Sequence, residues 1–211
     1  MTKRILELFS GTGSVGKVAR EMDYEVLSLD IDGNADITID ILKWDYTVYP
    51  RHHFHTIWAS PPCRTFSHAR VCNIGRPIKS LGGEVCTREL LEQDMIKNGL
   101  PILLKTLEII AYFNPKVYFI ENPATSKMKN YLYLPYYDVS YCMYSNWGYR
   151  KNTRVWTNKS NFIPLICKRD CPNMADTKRH KGNIMKVSTL QERYRIPPKL
   201  IHDLLINNDA W

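Results

Sequence analysis

A chain of 211 residues, 44% hydrophobic and 24% charged, is long enough for one generous α/β domain, and this composition excludes disorder and fibrous repeats. No apolar stretch approaches the roughly 18 residues that a membrane span requires, so no membrane partner is expected. Lysine and arginine number 29 against 21 aspartate and glutamate, a formal charge of +8. That excess favours a polyanionic partner, because each cation that neutralises a phosphate releases condensed counterions.

Residues 3–9 read as a first strand, which runs into LFSGTGSVG. Residues 14–22 read as a helix and 25–30, EVLSLD, as a second strand. A short third strand is expected at 36–40, and TIWA at 56–59 is a fourth that leads into SPPC. A helical pattern covers 90–113, with Leu91, Met95, Leu103, Leu107 and Ile110 near a 3.6-residue period, and Pro115 ends it. KVYFIE at 116–121 reads as a buried strand, 138–144 and 153–156 are later strand candidates, and 189–206 reads as helices broken by Pro197 and Pro198. Strands alternating with helices predict an α/β fold with a mostly parallel, doubly wound sheet and its ligands at the carboxyl ends of the strands.

One domain is expected over 1–211, with a basic segment at 150–186 and closing helices at 187–211. The basic segment holds ten Lys or Arg against Asp170 and Asp176. The short apolar run at the N-terminus feeds straight into the glycine loop, which argues against a secretory signal and for an intracellular protein. Cysteines 63, 72, 86, 142, 167 and 171 lack the spacing of a secreted scaffold, so free thiols are expected. Cys167 and Cys171 with His180 have a loose metal-ligand spacing and no evident fourth ligand, so loop thiols and no metal are expected.

Three strand ends carry chemistry. Gly11, Gly13 and Gly16 spell G-x-G-x-x-G, and Asp30 ends the second strand, a pair that suits NAD and S-adenosylmethionine alike. Cys63 follows two prolines just beyond the fourth strand, where a nucleophile is presented rigidly to a cleft. Glu121, followed by Asn122 and Pro123, ends the fifth, where a carboxyl makes sense as a proton donor.

The set LFSGTG, SPPCRTFS, ENP and YRKNTRVWTN, in that order, resembles the cytosine-5 DNA methyltransferases, especially the compact forms of phages and large DNA viruses. The resemblance implies a Rossmann-like S-adenosylmethionine-dependent methyltransferase fold, with the glycine loop holding the methionine end of the cofactor. It implies that Cys63 adds to carbon 6 of cytosine, that Glu121 binds ring nitrogen 3 and the exocyclic amine, and that Arg154 contacts oxygen 2. Arg64 is the candidate cation beside the thiolate. Arg150 and Asn152 stand where the family has glutamine and arginine, and Pro123 where it has valine. Cofactor contacts carried over are Phe9, Gly11, Thr12, Gly13, Asp30, Ile31, Asp40, Ile41 and Pro62; Ser67, Asn122 and Arg150 are carried over as substrate contacts. For Ile31 and Ile41, ordinary core packing is the alternative.

The resemblance implies double-stranded DNA as partner and, for a viral protein, a location in host cytoplasm or nucleus. A duplex base must be flipped out to reach Cys63; the basic segment, Trp147, Tyr149 and Trp156 are candidate phosphate and stacking contacts, with His68, Arg70 and Arg76 on a second loop. Only about thirty residues separate the arginine motif from the closing helices, so a short target or an accessory recognition protein is expected. Transfer to tRNA cytosine and a silent DNA-binding homologue are the alternatives.

Overall fold

The computed structural model describes residues 2–33, 35–184 and 189–206. Seven strands form one sheet: β1 (Lys3–Leu8), β2 (Tyr24–Asp30), β3 (Ile37–Thr38), β4 (Thr56–Ala59), β5 (Val117–Pro123), β6 (Tyr136–Ser140) and β7 (Asn152–Thr157). Their order is β3-β2-β1-β4-β5-β7-β6. The first five run parallel, while β7 inserts antiparallel between β5 and β6. The sheet thus reverses its strand order beside β1 and β4, and in such folds ligands bind at the carboxyl ends there.

Alternation along each buried strand sends successive side chains to opposite faces. Ile5, Trp58, Phe119 and Val155 pack on one face with Val15 and Val18 of α1 (Ser14–Glu21) and Leu200, Ile201 and Leu204 of a C-terminal helix, Pro198–Leu205. Leu6, Leu8, Ile57 and Ala59 pack on the other with Ile109 and Phe113. Both faces being covered explains why these strands are near-continuous apolar runs.

The helix expected at 90–113 is present but interrupted. It consists of α2 (Arg88–Asp94), a π-helical turn at Met95–Gly99 and α3 (Leu100–Phe113). Pro101 has no N–H to donate back to residue 97, and its ring crowds that carbonyl, so the preceding turn widens. The strand expected at 138–144 ends at Ser140, and Tyr141–Met143 turn instead as a 3-10 helix. The closing helices are α4 (Leu190–Tyr194), with a Thr189–Glu192 capping box, and α5 (Pro198–Leu205). Ile196 N–H donates to Ser14 Oγ at 3.3 Å, which ties this tail to the start of α1. Lys186 of the expected basic segment, and 187–188 and 207–211 of the expected closing segment, lie outside the described residues. No helix among the described residues is long and apolar enough to cross a membrane.

Candidate active site

The glycine loop leaves β1 through three left-handed residues, Phe9 at φ 61°, Gly11 at 49° and Gly13 at 65°. For Phe9 that conformation is uncommon and strained, a feature that clusters at ligand sites. An added Cβ at Gly13 would meet nothing within 4 Å, so its left-handed backbone, not space, demands glycine. Asp30 closes the loop from β2: its carboxylate accepts from Gly11 N–H at 2.8 Å and from Asp32 N–H at 3.1 Å. Ser10, Gly11, Thr12 and Gly13 line a cavity completed by Glu7, Ser28, Arg20 and Gln191.

Glu7 decides what kind of ligand this loop takes. It is 3% exposed, and its carboxyl accepts from Val15 N–H at 3.2 Å and Gly16 N–H at 2.9 Å, the first-turn donors of α1. Those are the amides that a dinucleotide's pyrophosphate would need. With a carboxyl already there, the loop suits a cofactor without phosphate, such as S-adenosylmethionine. Burial raises Glu7 from the ordinary 4.5 to about 7, against the lowering effect of the two amides. Gly16 makes room for it, since a Cβ there would lie 2.6 Å from Glu7 Oε2.

The other cofactor candidates divide. Ile31 is 61% exposed just beyond β2, where an apolar side chain can lie against a flat ring. Ile41 is 4% exposed and packs with Leu6, Leu8 and Leu29, which is the core-packing alternative for its side chain. Asp40 caps the turn after it, accepting from Leu42 N–H at 3.0 Å.

Pro61 is buried and Pro62 exposed in the loop after β4. Asn122, 1% exposed, donates from Nδ2 to Pro61 O at 2.8 Å, which locks the end of β5 to the Cys63 loop. Asn122, expected to touch substrate, thus clamps two loops together. Lys127 N–H to Phe66 O at 2.8 Å makes a second tie. Ser67 is half-buried at the start of the next 3-10 turn, and Arg150 donates from Nε to Asn152 Oδ1 at 2.9 Å.

Cys63 is half-buried, and Glu121, 7% exposed, lies within its electrostatic reach. Burial first, then the Glu121 charge, push the Cys63 thiol up, while the Lys151 ammonium pulls it down. Lys151, whose Nζ donates to Arg193 O at 3.2 Å, is therefore the cation whose field lowers this thiol, in place of the expected Arg64. Arg64 is exposed and acts on Asp94. Tyr141, fully buried, donates to Glu121 Oε1 at 3.0 Å, and Lys151 Nζ lies 4.7 Å over the Tyr141 ring. Tyr141 carries no motif signal, because the turn that ends β6 early is what brings it to Glu121, whereas Lys151 lies inside YRKNTRVWTN with no role assigned to it there.

Arg154 is not brought to this group. In the antiparallel register Glu121 faces Val155, whereas Arg154 faces Asn122 on one side and Asp138 on the other. Directly paired residues share a face, so Glu121 and Arg154 project to opposite faces of the sheet. Arg154 makes a bidentate pair with Asp138 at 2.7 and 2.8 Å, and its guanidinium lies 3.6 Å over the Tyr136 ring.

Several expected nucleic-acid contacts are corrected too. Trp156 and Tyr149 are buried at 0% and 3%, and Trp147 lies under the Arg195 guanidinium at 3.9 Å. Arg70 is held by Asp94 at 2.6 Å in a nearly buried pair, while His68 and Arg76 are exposed.

No family model matches the chain. Among solved structures, it is similar to the Entamoeba histolytica methyltransferase EhMeth, with 14% identity, 80% of this chain and 57% of that one covered, and a TM-score of 0.43. It is similar to a Spodoptera frugiperda DNMT2 mutant at 17% identity, 79% and 54% coverage and a TM-score of 0.46. For the S. pombe Dnmt2 methyltransferase the values are 16%, 81%, 53% and 0.45. The chain thus spans just over half the length of each of these structures. A protein of Frog virus 3 (isolate Goorha), described as a probable DNA (cytosine-5)-methyltransferase, is 43% identical over 219 residues, which cover 96% of this chain and 98% of that protein. With that identity along nearly its full length, the chain belongs to the cytosine-5 methyltransferase family.

Proposed function

We propose that this chain methylates carbon 5 of cytosine in DNA. The observation that carries the reading is that Cys63, beyond β4, lies within electrostatic reach of Glu121 on β5, which Tyr141 holds by a hydrogen bond, beside a glycine loop whose helix amides are already taken by Glu7. The +8 charge and the viral relative's description as a DNA enzyme support DNA as the substrate.

S-adenosylmethionine, when bound by Phe9, Gly11, Thr12, Gly13, Asp30 and Ile31, supplies an electrophilic methyl group. The chain's own residues make cytosine receptive to it. Cys63 Sγ, as thiolate, bonds to carbon 6, and the C5=C6 π pair moves to carbon 5. Glu121, oriented by the Tyr141 hydroxyl, holds ring nitrogen 3 and the exocyclic amine against the charge that this addition creates. Carbon 5 then bonds to the methyl group as that group's bond to the sulfonium sulfur breaks, and loss of the carbon 5 proton to a solvent base restores the double bond and expels Cys63 as thiolate. Lys151 favours the thiolate, and Arg154 fixes β7 to β6 through Asp138. In this reading Lys151 takes the place beside the reacting base that motif matching assigns to Arg154.

Base flipping costs roughly a few kcal/mol, to be offset by phosphate contacts from the exposed cations of the loop after β7. With about thirty residues in that loop, the target is a short sequence or is chosen with an accessory protein.

The test is transfer of a labelled methyl group from S-adenosylmethionine to unmethylated duplex DNA and, in parallel, to tRNA. The expected result is 5-methylcytosine in DNA, and its loss by at least about a thousandfold in Cys63→Ser. Label in tRNA alone would move the substrate to RNA. Binding of cofactor and DNA with no transfer to either would leave a silent DNA-binding homologue.

A further inference from the structure

Where β6 ends, four potential ligands come together from three places in the chain. Cys142 lies in the 3-10 turn that ends β6, Cys167 and Cys171 flank a tight turn, and His180 sits on a short bridge with Met174. Their ligand atoms all lie within 4.8 Å of one another. All three cysteines are buried, and all are free thiols.

We propose that Cys142, Cys167, Cys171 and His180 bind one structural Zn²⁺ ion that holds the basic loop after β7 against the sheet edge. Cys-x3-Cys is within the usual spacing of a zinc knuckle, and three thiolates with one imidazole are a common closed set. With Zn–S near 2.3 Å and Zn–N near 2.0 Å, a tetrahedron has S···N edges of about 3.5 Å and S···S edges of about 3.8 Å. His180 Nε2 lies 3.5 Å from Cys167 Sγ and 3.3 Å from Cys171 Sγ, close to those edges. Arg169 N–H points at Cys167 Sγ at 3.3 Å from a left-handed residue, φ 69°, the way a knuckle's backbone cradles a sulfur that carries charge.

Phe162, 8% exposed, and Leu165 anchor the start of this loop in the core, but its outer part, 167–183, joins only the cysteine cluster. Between β7 and residue 184 it contains no helix or strand beyond the Met174–His180 bridge, and the cluster at this corner comprises the three cysteines with Met143 and Met174. An outer loop with so small an apolar cluster is commonly fixed by a metal. What docks this outer part to the body is mainly polar: Asn173, 4% exposed, donates to Cys142 O at 2.8 Å and Ser145 O at 2.7 Å, and Cys167 N–H donates to Ser140 Oγ at 3.1 Å. The same loop exposes Lys168, Arg169, Lys178, Arg179 and Lys181. Only the use of these cations on nucleic acid rests on the function proposed above; the metal assignment does not.

The experiment is elemental analysis of the full chain, expressed with zinc in the medium and purified without chelator, joined to hydrogen exchange before and after chelation. About one zinc per chain is expected in the native protein, in Cys72→Ser and in His180→Cys, and close to none in Cys171→Ser and His180→Ala. Chelation is expected to abolish amide protection across 167–181 while cofactor binding at the glycine loop persists. Native protein that carries no zinc and takes none up on titration overturns the proposal, as does zinc retained in both Cys171→Ser and His180→Ala. If Cys171→Ser does not fold, the native stoichiometry and the pair His180→Ala and His180→Cys still decide. Zinc bound without methyl transfer would count against the proposed reaction and leave the metal site standing.

Discussion

Cys63 lies between opposing influences. Burial and Glu121 hold its thiol protonated, and Lys151 is the cation that counters them. The thiolate is therefore scarce at neutral pH, and kcat/KM for methyl transfer is expected to climb as pH rises toward the thiol's raised value. Lys151→Met should push the pH–rate curve further to the alkaline side, with a loss on the order of tenfold at a fixed neutral pH for a displacement of about one pH unit. Arg154→Met should leave the curve where it is and instead destabilise the β6–β7 pairing, because its partners are Asp138 and Tyr136. Pre-steady-state methylation followed across pH in both variants checks this. A shift in Arg154→Met with none in Lys151→Met would return the role to Arg154.

The Cys63 loop, the π-helical turn and the end of β5 act as one element. Gly99, in the widened turn forced by Pro101, lies beneath the loop: a Cβ there would stand 2.5 Å from Thr65 Oγ1 and 3.1 Å from the Phe66 ring. Thr65 can rotate, but Phe66 is 1% exposed in a packed cluster with Met95, Leu103 and Trp156. Gly99→Ala is therefore expected to cost about 1–3 kcal/mol as overpacking does, and to displace the loop that presents Cys63. Misplacement of about 1 Å can cost about a hundredfold in rate, so methyl transfer should fall more than denaturant midpoints imply. Equal losses of both, scaled to the fraction folded, would show that Gly99 serves stability alone.

Stability of the whole molecule carries the signature of Glu7. A carboxyl raised from 4.5 to about 7 in the folded state binds its proton more tightly folded than unfolded. Its contribution is thus fully present at pH below 4.5 and is lost as pH rises through about 7, a span worth roughly 3 kcal/mol. Urea unfolding measured across this window should show a decline that is absent in Glu7→Gln. The variant also gives up one acceptor for Val15 N–H or Gly16 N–H, a constant cost of about 1–2 kcal/mol. A wild-type curve parallel to that of Glu7→Gln would mean that Glu7 titrates as an ordinary carboxylate.

The sequence by itself determined the α/β alternation, most strand positions to within a residue or two, the glycine loop and the Cys63 and Glu121 strand ends. These are local signals, since apolar runs, turn residues and chain order are written in neighbouring positions. Only the tertiary structure decided which partners meet across the chain. Tyr141 reaches Glu121 over 20 residues, and Asn122 reaches Pro61 over 61. Register alone sends Arg154 to the other face, because a shift of one residue reverses a strand's side chains. Ile31 and Ile41 look alike in sequence, yet one is exposed at a strand end and the other is core. Cys142 lies 25 residues before Cys167, so the fourth member of the thiol and imidazole cluster came into view only when β6 ended and turned toward the loop.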